Sequence, residues 1–463
     1  KKMSHGMRQY LFWFAHKHCD FRIPVSAYPY CIVNLPSENT ARMIVSRAVC
    51  IRFCVELWAS GKEYADFHEE LKNYPNSEIT KHNGKQMSFK IVVETFCKHF
   101  SQREKLEKIE SFSYLPLEGP VKLNNPDTTL YYIEFYGLDS NHKPDKPYAF
   151  FFGRWIAEGQ RDFIQKLSLK TRKFIGNTSM DPELSLIMAN QAKIQHGDLV
   201  FDPFVGSGSL LVAASHFGGY TLGTDIDFLM LHGRTRPSRK SQKERESDEN
   251  VAANMTQYGI LSYLVDVLVA DFSYPLWRPN MRVNAIITDP PYGIREATER
   301  IGTTKSSPII EEHQIATHIP SKVSYNLSDM YKDLLTFSAT HLELYGRLVC
   351  WFPVFRDHYS LDKLPSHSCL QLVANSEQVL SKFTSRRLLT YEKRKHPEGS
   401  DECATIKSMN FREKYFRLRD ETRKQKRAKK SAHAEKVKEQ VSRLLTLSRL
   451  SKDSIKEESN SEP

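Results

Sequence analysis

Asp289-Pro290-Pro291-Tyr292-Gly293 puts a carboxylate, two prolines and a phenol in one short stretch. It follows 283–289 (VNAIITD), whose β-branched residues read as a buried strand. Two prolines directly after a strand cannot extend its ladder, so they stiffen a turn at its carboxyl end. An exocyclic NH2 group has two protons and needs two acceptors, which Asp289 Oδ and the Pro290 carbonyl can supply. Holding both protons fixes the nitrogen and aims its lone pair at an incoming electrophile. Tyr292 would stack on the flat base, a contact worth about 1–3 kcal/mol. Asp289, Pro290, Pro291 and Tyr292 are therefore the candidate catalytic residues; the plain alternative is a proline-stiffened loop.

A second constellation lies upstream, in Asp202-Pro203-Phe204-Val205-Gly206-Ser207-Gly208-Ser209. Gly206 and Gly208 remove side chains where a backbone must approach a ligand. A helix start after them offers N–H groups to an anionic end, such as a methionine carboxylate. Read alone, the stretch is equally a tight strand-to-helix turn. The third glycine of the dinucleotide fingerprint is replaced by Leu211, which argues against NAD. Asp225, in Gly223-Thr224-Asp225-Ile226-Asp227, lies 17 residues after Gly208. An acid near this spacing can accept both ribose hydroxyls of a nucleoside cofactor, with Ile226 beside it and Asp227 the weaker candidate. Asp271-Phe272 offers an acceptor for an adenine amino group and a ring for its face, or else a helix N-cap. The candidate cofactor residues are Asp202, Pro203, Phe204, Gly206, Gly208, Asp225, Ile226, Asp271 and Phe272.

These residues need a scaffold that brings them together. The sequence predicts strands at 198–202, 220–225, 264–271, 283–289, 346–352, 370–374 and 388–393. Helices are expected at 182–190, 210–217, 248–258 and 327–344. Strands alternating with helices predict an α/β, doubly wound, mostly parallel seven-stranded sheet. In such a sheet the strand order reverses beside the first strand, and ligands bind in that crevice. The glycine turn after strand one and the Asp289 turn after strand four would face each other there. The charged stretch 234–249 and the irregular stretch 298–324 follow strand ends and read as solvated or functional loops.

Residues 1–150 look different: an α+β region with a helix start at Ser37, a strand at 89–95 and a charged helix at 102–111. Residues 151–175 read as a linker, 176–395 as the catalytic domain and 396–463 as a charged, partly disordered extension. Ten Lys or Arg residues lie between Arg412 and Lys430, and the end from Lys456 onward is expected to be loose.

The 463 residues suffice for two or three domains. A net charge of +11 suits a nucleic-acid partner without demanding one. The eight cysteines are scattered with no C-x-x-C pair, which argues against a zinc site or a disulfide framework and for a reducing compartment. No apolar run reaches the roughly 18 to 20 residues of a membrane span. The run at 10–15 is too short for a signal-peptide core.

With these motifs in hand, region 176–395 resembles class I methyltransferases of the amino-nitrogen type. More closely, the chain is similar to the catalytic subunits of tRNA guanine-10 N2-methyltransferases. Stretches that carry the likeness include Phe152-Gly153-Arg154-Trp155-Ile156-Ala157, Phe174-Ile175-Gly176-Asn177-Thr178-Ser179-Met180-Asp181 and Thr288-Asp289-Pro290-Pro291-Tyr292-Gly293-Ile294-Arg295-Glu296. Thr384-Ser385-Arg386-Arg387-Leu388 and Phe411-Arg412-Glu413-Lys414-Tyr415-Phe416 extend it toward the C-terminus.

The resemblance implies a ferredoxin-like segment plus a THUMP domain in the N-terminal region, gripping tRNA. It further implies S-adenosyl-L-methionine as cofactor, N2-methylguanosine at tRNA position 10 as product, and a cytoplasmic location. A small zinc-binding activator protein would be the partner in a heterodimer. The stretch between Ile23 and Cys31 is shorter than in that family. Transfer is expected to run in line from sulfonium to N2, without a covalent enzyme intermediate or a metal. Arg154, Arg386 and Arg387 are candidates for RNA phosphates, or ordinary surface arginines. Two alternatives stay open: an adenine-N6 methyltransferase, which the same proline turn would serve, and a catalytically inactive RNA-binding scaffold.

Overall fold

The computed structural model describes residues 7–15, 19–21, 28–139, 141, 144–304, 311–313, 318–398, 404–406 and 410–420, with isolated helical positions beyond. Most of the stretch between Ile23 and Cys31 lies outside these residues, as does the tail from Lys456 onward. Among the described residues, no helix is long and apolar enough to cross a membrane.

The N-terminal region is one six-stranded sheet. Its strands are β1 (Arg8–Phe14), β2 (Tyr30–Leu35), β3 (Ile51–Gly61), β4 (Phe89–Phe96), β5 (Thr128–Phe135) and β6 (Ala149–Glu158), in the order β2-β1-β3-β6-β5-β4. The first helix, Glu38–Val45, starts where the sequence predicts, with the Ser37 hydroxyl accepting the Thr40 N–H at 3.2 Å. The charged helix Gln102–Glu110 opens on a Ser101/Glu104 capping box. β6 corrects the expected boundary. Residues 151–158 are not linker but the central part of this sheet, paired with β3 and β5.

The second sheet holds β7 (Leu199–Asp202), β8 (Tyr220–Asp225), β9 (Leu264–Val269), β10 (Val283–Thr288), β13 (Leu342–Phe355), β14 (Leu370–Val379) and β15 (Thr384–Lys393). A small hairpin, β11 (Glu299–Ile301) and β12 (Lys322–Ser324), lies between β10 and β13 in the chain. The seven-strand order is β14-β15-β13-β10-β7-β8-β9. β13, β10, β7, β8 and β9 pair in parallel, and β15 runs antiparallel to both β13 and β14. The order reverses between β7 and β10, the place expected for a crevice.

Strand residues alternate between two cores. Val200, Ala285, Ile287 and Val349 face the helices Pro182–Gln191, Ser209–His216 and Val251–Gln257. Phe201, Ile286, Leu348 and Cys350 face the helix Leu327–His341. The helix Pro182–Gln191 is buried on every side from Pro182 to Ala189, not on one stripe, because the N-terminal domain covers its outer face.

Two helices are shorter than expected. The one forecast at 248–258 begins at Val251, capped by Asn250, because Glu249 is drawn into an ion pair with Arg245. The one forecast at 327–344 ends at His341, where Leu342 turns extended and pairs with Val283. The charged stretch 234–249 is knitted in place. Arg239 donates to the Lys173 and Arg172 carbonyls, and Arg245 to the Ile175 carbonyl.

Candidate active site at the sheet switch point

β7 ends at Asp202, and its carboxylate is the pivot of the crevice. Oδ1 accepts the Thr288 hydroxyl at 2.7 Å and the Phe204 N–H at 3.0 Å. Thr288 is the last residue of β10, so this one bond ties the two strand ends together. Oδ2 is buried and has no partner. Burial pushes the Asp202 carboxyl up to about 7, against the pull of its two hydrogen bonds. Asp225 and Asp289 both act electrostatically on it, so three acids share one neighbourhood.

The glycine turn follows. Gly206 and Gly208 both have positive φ, +50° and +77°. A β-carbon on Gly208 would lie 2.6 Å from Val251, so this glycine answers to packing. One on Gly206 would meet nothing within 4 Å, so this glycine borders open space. Gly206 N–H donates to Asp225 Oδ2 at 2.8 Å, and Asp227 N–H to Asp225 Oδ1 at 2.9 Å. Each carboxylate oxygen of Asp225 thus keeps a lone pair for a further donor. Burial raises its pKa, opposed by those two N–H groups. Ile226 is half-buried beside it, and Asp227 caps the short helix Phe228–Leu231 through Met230 N–H.

Asp271 is placed differently from its expected role. Its oxygens accept Ser273 N–H at 2.8 Å and Ile301 N–H at 2.5 Å, so the β11–β12 hairpin holds it. It caps no α-helix, and like Asp225 it carries one N–H on each oxygen. Phe272 packs against Phe204 and Phe337, with ring centroids 5.3 and 5.2 Å away. Pro203 is buried, and its carbonyl accepts the Thr224 hydroxyl.

Across the switch, Asp289 stands at the end of β10 with Pro290 buried behind it. The Tyr292 hydroxyl donates to Asp289 Oδ1, and Arg386 Nη1 donates to Oδ2 at 3.0 Å. Burial raises the Asp289 pKa, while the Arg386 guanidinium and the Tyr292 hydroxyl oppose that. Burial and the neighbouring carboxylate drive the Tyr292 phenol far above its ordinary range. The proline corner follows β10 and the glycine turn follows the adjacent β7, with Asp289 close enough to act on Asp202.

The three arginines assigned to RNA phosphates need correction. Arg154 is buried in β6 and paired with Glu56 at 2.8 Å and Glu38 at 2.6 Å. Arg387 lies over the Tyr359 ring and near Asp20 and Glu377. Arg386 serves Asp289. Buried carboxylates hold Arg154 and Arg386, because an uncompensated charge in the interior costs several kcal/mol, while Arg387 is held mainly by the Tyr359 ring.

Residues beyond the candidate catalytic and cofactor residues also shape the site. Ser179 Oγ lies 2.5 Å from Ser207 Oγ in the glycine turn, and Thr178 donates to Glu296 beyond the proline corner. Asn254 is fully buried and links the Phe174 backbone to the Ser207 carbonyl. Arg412 donates to the Gly293 carbonyl at 2.9 Å, tying the segment 410–420 to the catalytic loop. These are single polar side chains with distant partners, and no local spacing marks them.

Comparison with known proteins fits this geometry. Residues 20–161 match the family model described as the Tmrp11 THUMP N-terminal domain. Residues 170–305 match the RMKL-like methyltransferase domain. The chain is 44% identical over 467 residues to the tRNA (guanine(10)-N(2))-methyltransferase TRMT11 of Xenopus laevis, covering 94% of this chain and 98% of that protein. The Homo sapiens protein of that name is 44% identical over 445 residues, covering 89% and 96%. The tRNA (guanine(10)-N(2))-methyltransferase of Schizosaccharomyces pombe is 34% identical over 398 residues, covering 84% and 80%.

Proposed function

The chain belongs to the tRNA (guanine(10)-N(2))-methyltransferase family, and on that premise we propose that it methylates the N2 of guanosine 10 in tRNA from S-adenosyl-L-methionine. The observation that carries this reading is the juxtaposition at the β7/β10 switch. An open glycine turn follows β7, the ribose-competent Asp225 ends the adjoining β8 and binds that turn, and a carboxylate with a proline carbonyl follows β10 on the other side.

The residues fit the cofactor. Gly206 has open space where a side chain would stand, Asp225 keeps lone pairs for two hydroxyls, and Asp202 Oδ2 is a buried acceptor without a donor. When bound, S-adenosyl-L-methionine supplies an electrophilic methyl on a sulfonium. Asp289 and the Pro290 carbonyl hold the two N2 protons, and Asp289 favours the positive charge that grows on that nitrogen. The base displaces the Tyr292 hydroxyl from Oδ1, which leaves the ring free to stack on it. Once N2 is methylated, Asp289 would take the proton that the nitrogen gives up and pass it to solvent. A base buried in a helix stack must leave it first.

A small zinc-binding activator protein as partner is part of the proposal. What supports it is β9, the outermost strand of the seven, which exposes Val265, Leu268 and Val269. Such an edge accepts a strand from another protein, and burying it removes an aggregation-prone surface.

Labelled-methyl transfer to bulk tRNA, followed by digestion to nucleosides, tests the reading. Wild type should give N2-methylguanosine. Asp289→Ala should lower kcat by roughly 100-fold or more while keeping cofactor binding. Equal transfer by the two proteins, or N6-methyladenosine as product, would end it.

A further inference from the structure

We propose that Arg386 reads O6 of the acceptor guanine, so that Asp289 and Arg386 together imitate the pairing edge of a cytosine. The proposal rests on the reading of the Asp289 corner as the base pocket.

Arg386 is held from three directions. Its guanidinium carbon lies 4.0 Å from the Trp351 ring centroid on β13, which fixes the plane of the fork. Its Nε donates to Gln378 Oε1 on β14 at 2.7 Å, which fixes its rotation. Its Nη1 donates to Asp289 Oδ2 at 3.0 Å. The side chain is only 14% exposed, yet it borders the one carboxylate to which the acceptor amine must come. A guanidinium has five N–H donors in a rigid fork, and these contacts leave it donors to spare.

Read across the pocket, Asp289 Oδ1, Asp289 Oδ2 and Arg386 Nη1–H run acceptor, acceptor, donor. The Watson–Crick edge of guanine runs donor, donor, acceptor: N2–H, N1–H, O6. The two rows are complementary. The second N2 proton, on the far side of the amine, is left for the Pro290 carbonyl. Adenine fails the same row when its amine is held, like guanine N2, between Oδ1 and the Pro290 carbonyl. With N6–H on Oδ1, its N1 lone pair faces Oδ2, and nothing accepts the arginine. The proline corner alone serves guanine N2 and adenine N6 equally, so the arginine from β15 supplies the distinction. In the resting structure Arg386 and Tyr292 occupy the positions that the base edge takes over.

The rival explanation is that Arg386 only neutralises a buried carboxylate. The two separate when the base is changed. Transfer tRNAs carrying guanine, 2-aminopurine or 2,6-diaminopurine at position 10 all keep the 2-amino group, and only guanine offers O6 and N1–H. Single-turnover kcat/KM is measured for wild type, Arg386→Met and Arg386→Lys. Wild type should prefer guanine over 2,6-diaminopurine by roughly 100-fold, as expected of a site built to hydrogen-bond its substrate. Arg386→Met should slow transfer to both bases through the lost Asp289 partner, but should cut guanine transfer at least about tenfold more than 2-aminopurine transfer; Arg386→Lys should restore part of that difference. Equal loss on guanine and 2-aminopurine overturns the proposal. So does wild-type methylation of 2,6-diaminopurine as fast as guanine, which decides the matter even if the Met variant does not fold. Wild type that leaves guanine 10 unmethylated sinks the underlying function instead.

Discussion

Asp202 is the acid whose surroundings are least forgiving. Burial lifts its carboxyl from 3.8 to about 7, and only one of its oxygens is hydrogen-bonded. A carboxyl whose folded pKa lies above its unfolded value binds protons more tightly in the native state. Its contribution to stability is therefore present at acid pH and is lost as pH rises from about 4 through 7, by up to roughly 4 kcal/mol. Asp202→Asn removes that titration. Urea unfolding without cofactor should show wild type losing ground between pH 5 and pH 8 relative to the variant. Parallel pH profiles for the two would count against this account of the carboxyl.

At the scale of elements, the turn between β7 and the helix Ser209–His216 divides its two glycines between packing and binding. Gly208→Ala forces a β-carbon into Val251 at positive φ and should destabilise the fold by at least about 1–2 kcal/mol. Gly206→Ala carries only the backbone penalty of about 1 kcal/mol, since its β-carbon points into open space. Its larger effect should be on cofactor affinity, read by calorimetry, with a weakening of about tenfold or more. Unchanged affinity would mean that the open space is not the cofactor's. The hairpin β11–β12 is the element with least forewarning. It seizes Asp271 through Ile301 N–H, and the irregular sequence around it gives no periodic signal.

At the scale of the molecule, the two sheets are joined by side chains from both domains. Arg47 Nε donates to Asn190 Oδ1 at 3.2 Å, and Asn190 Nδ2 donates to the Arg47 carbonyl at 2.7 Å. Phe21 sits edge-on against Trp351, the ring under Arg386, and Asp20 accepts Glu377 N–H. The THUMP N-terminal domain therefore reaches the wall of the candidate pocket. Asn190→Ala should cost about 1–2 kcal/mol and split or broaden a single calorimetric transition, as the N-terminal sheet loses its link to the catalytic one. A single sharp transition at the wild-type temperature would show that this pair does not couple the domains.

What the sequence determined by itself is local. Prolines after a strand, glycines before a helix and β-branched alternation each act on their own few residues. The seven strands, the reversal beside the first of them and both chemical turns were legible from them, but not the insertion of antiparallel β15 between β13 and β14. The charged residues were not. Arg386 finds Asp289 97 positions away, and Arg154 finds Glu56 98 positions away. An arginine looks the same in sequence whether it meets a phosphate or a buried carboxylate. Its partner is chosen only when the sheets close and desolvation leaves each charge one neighbour that can compensate it.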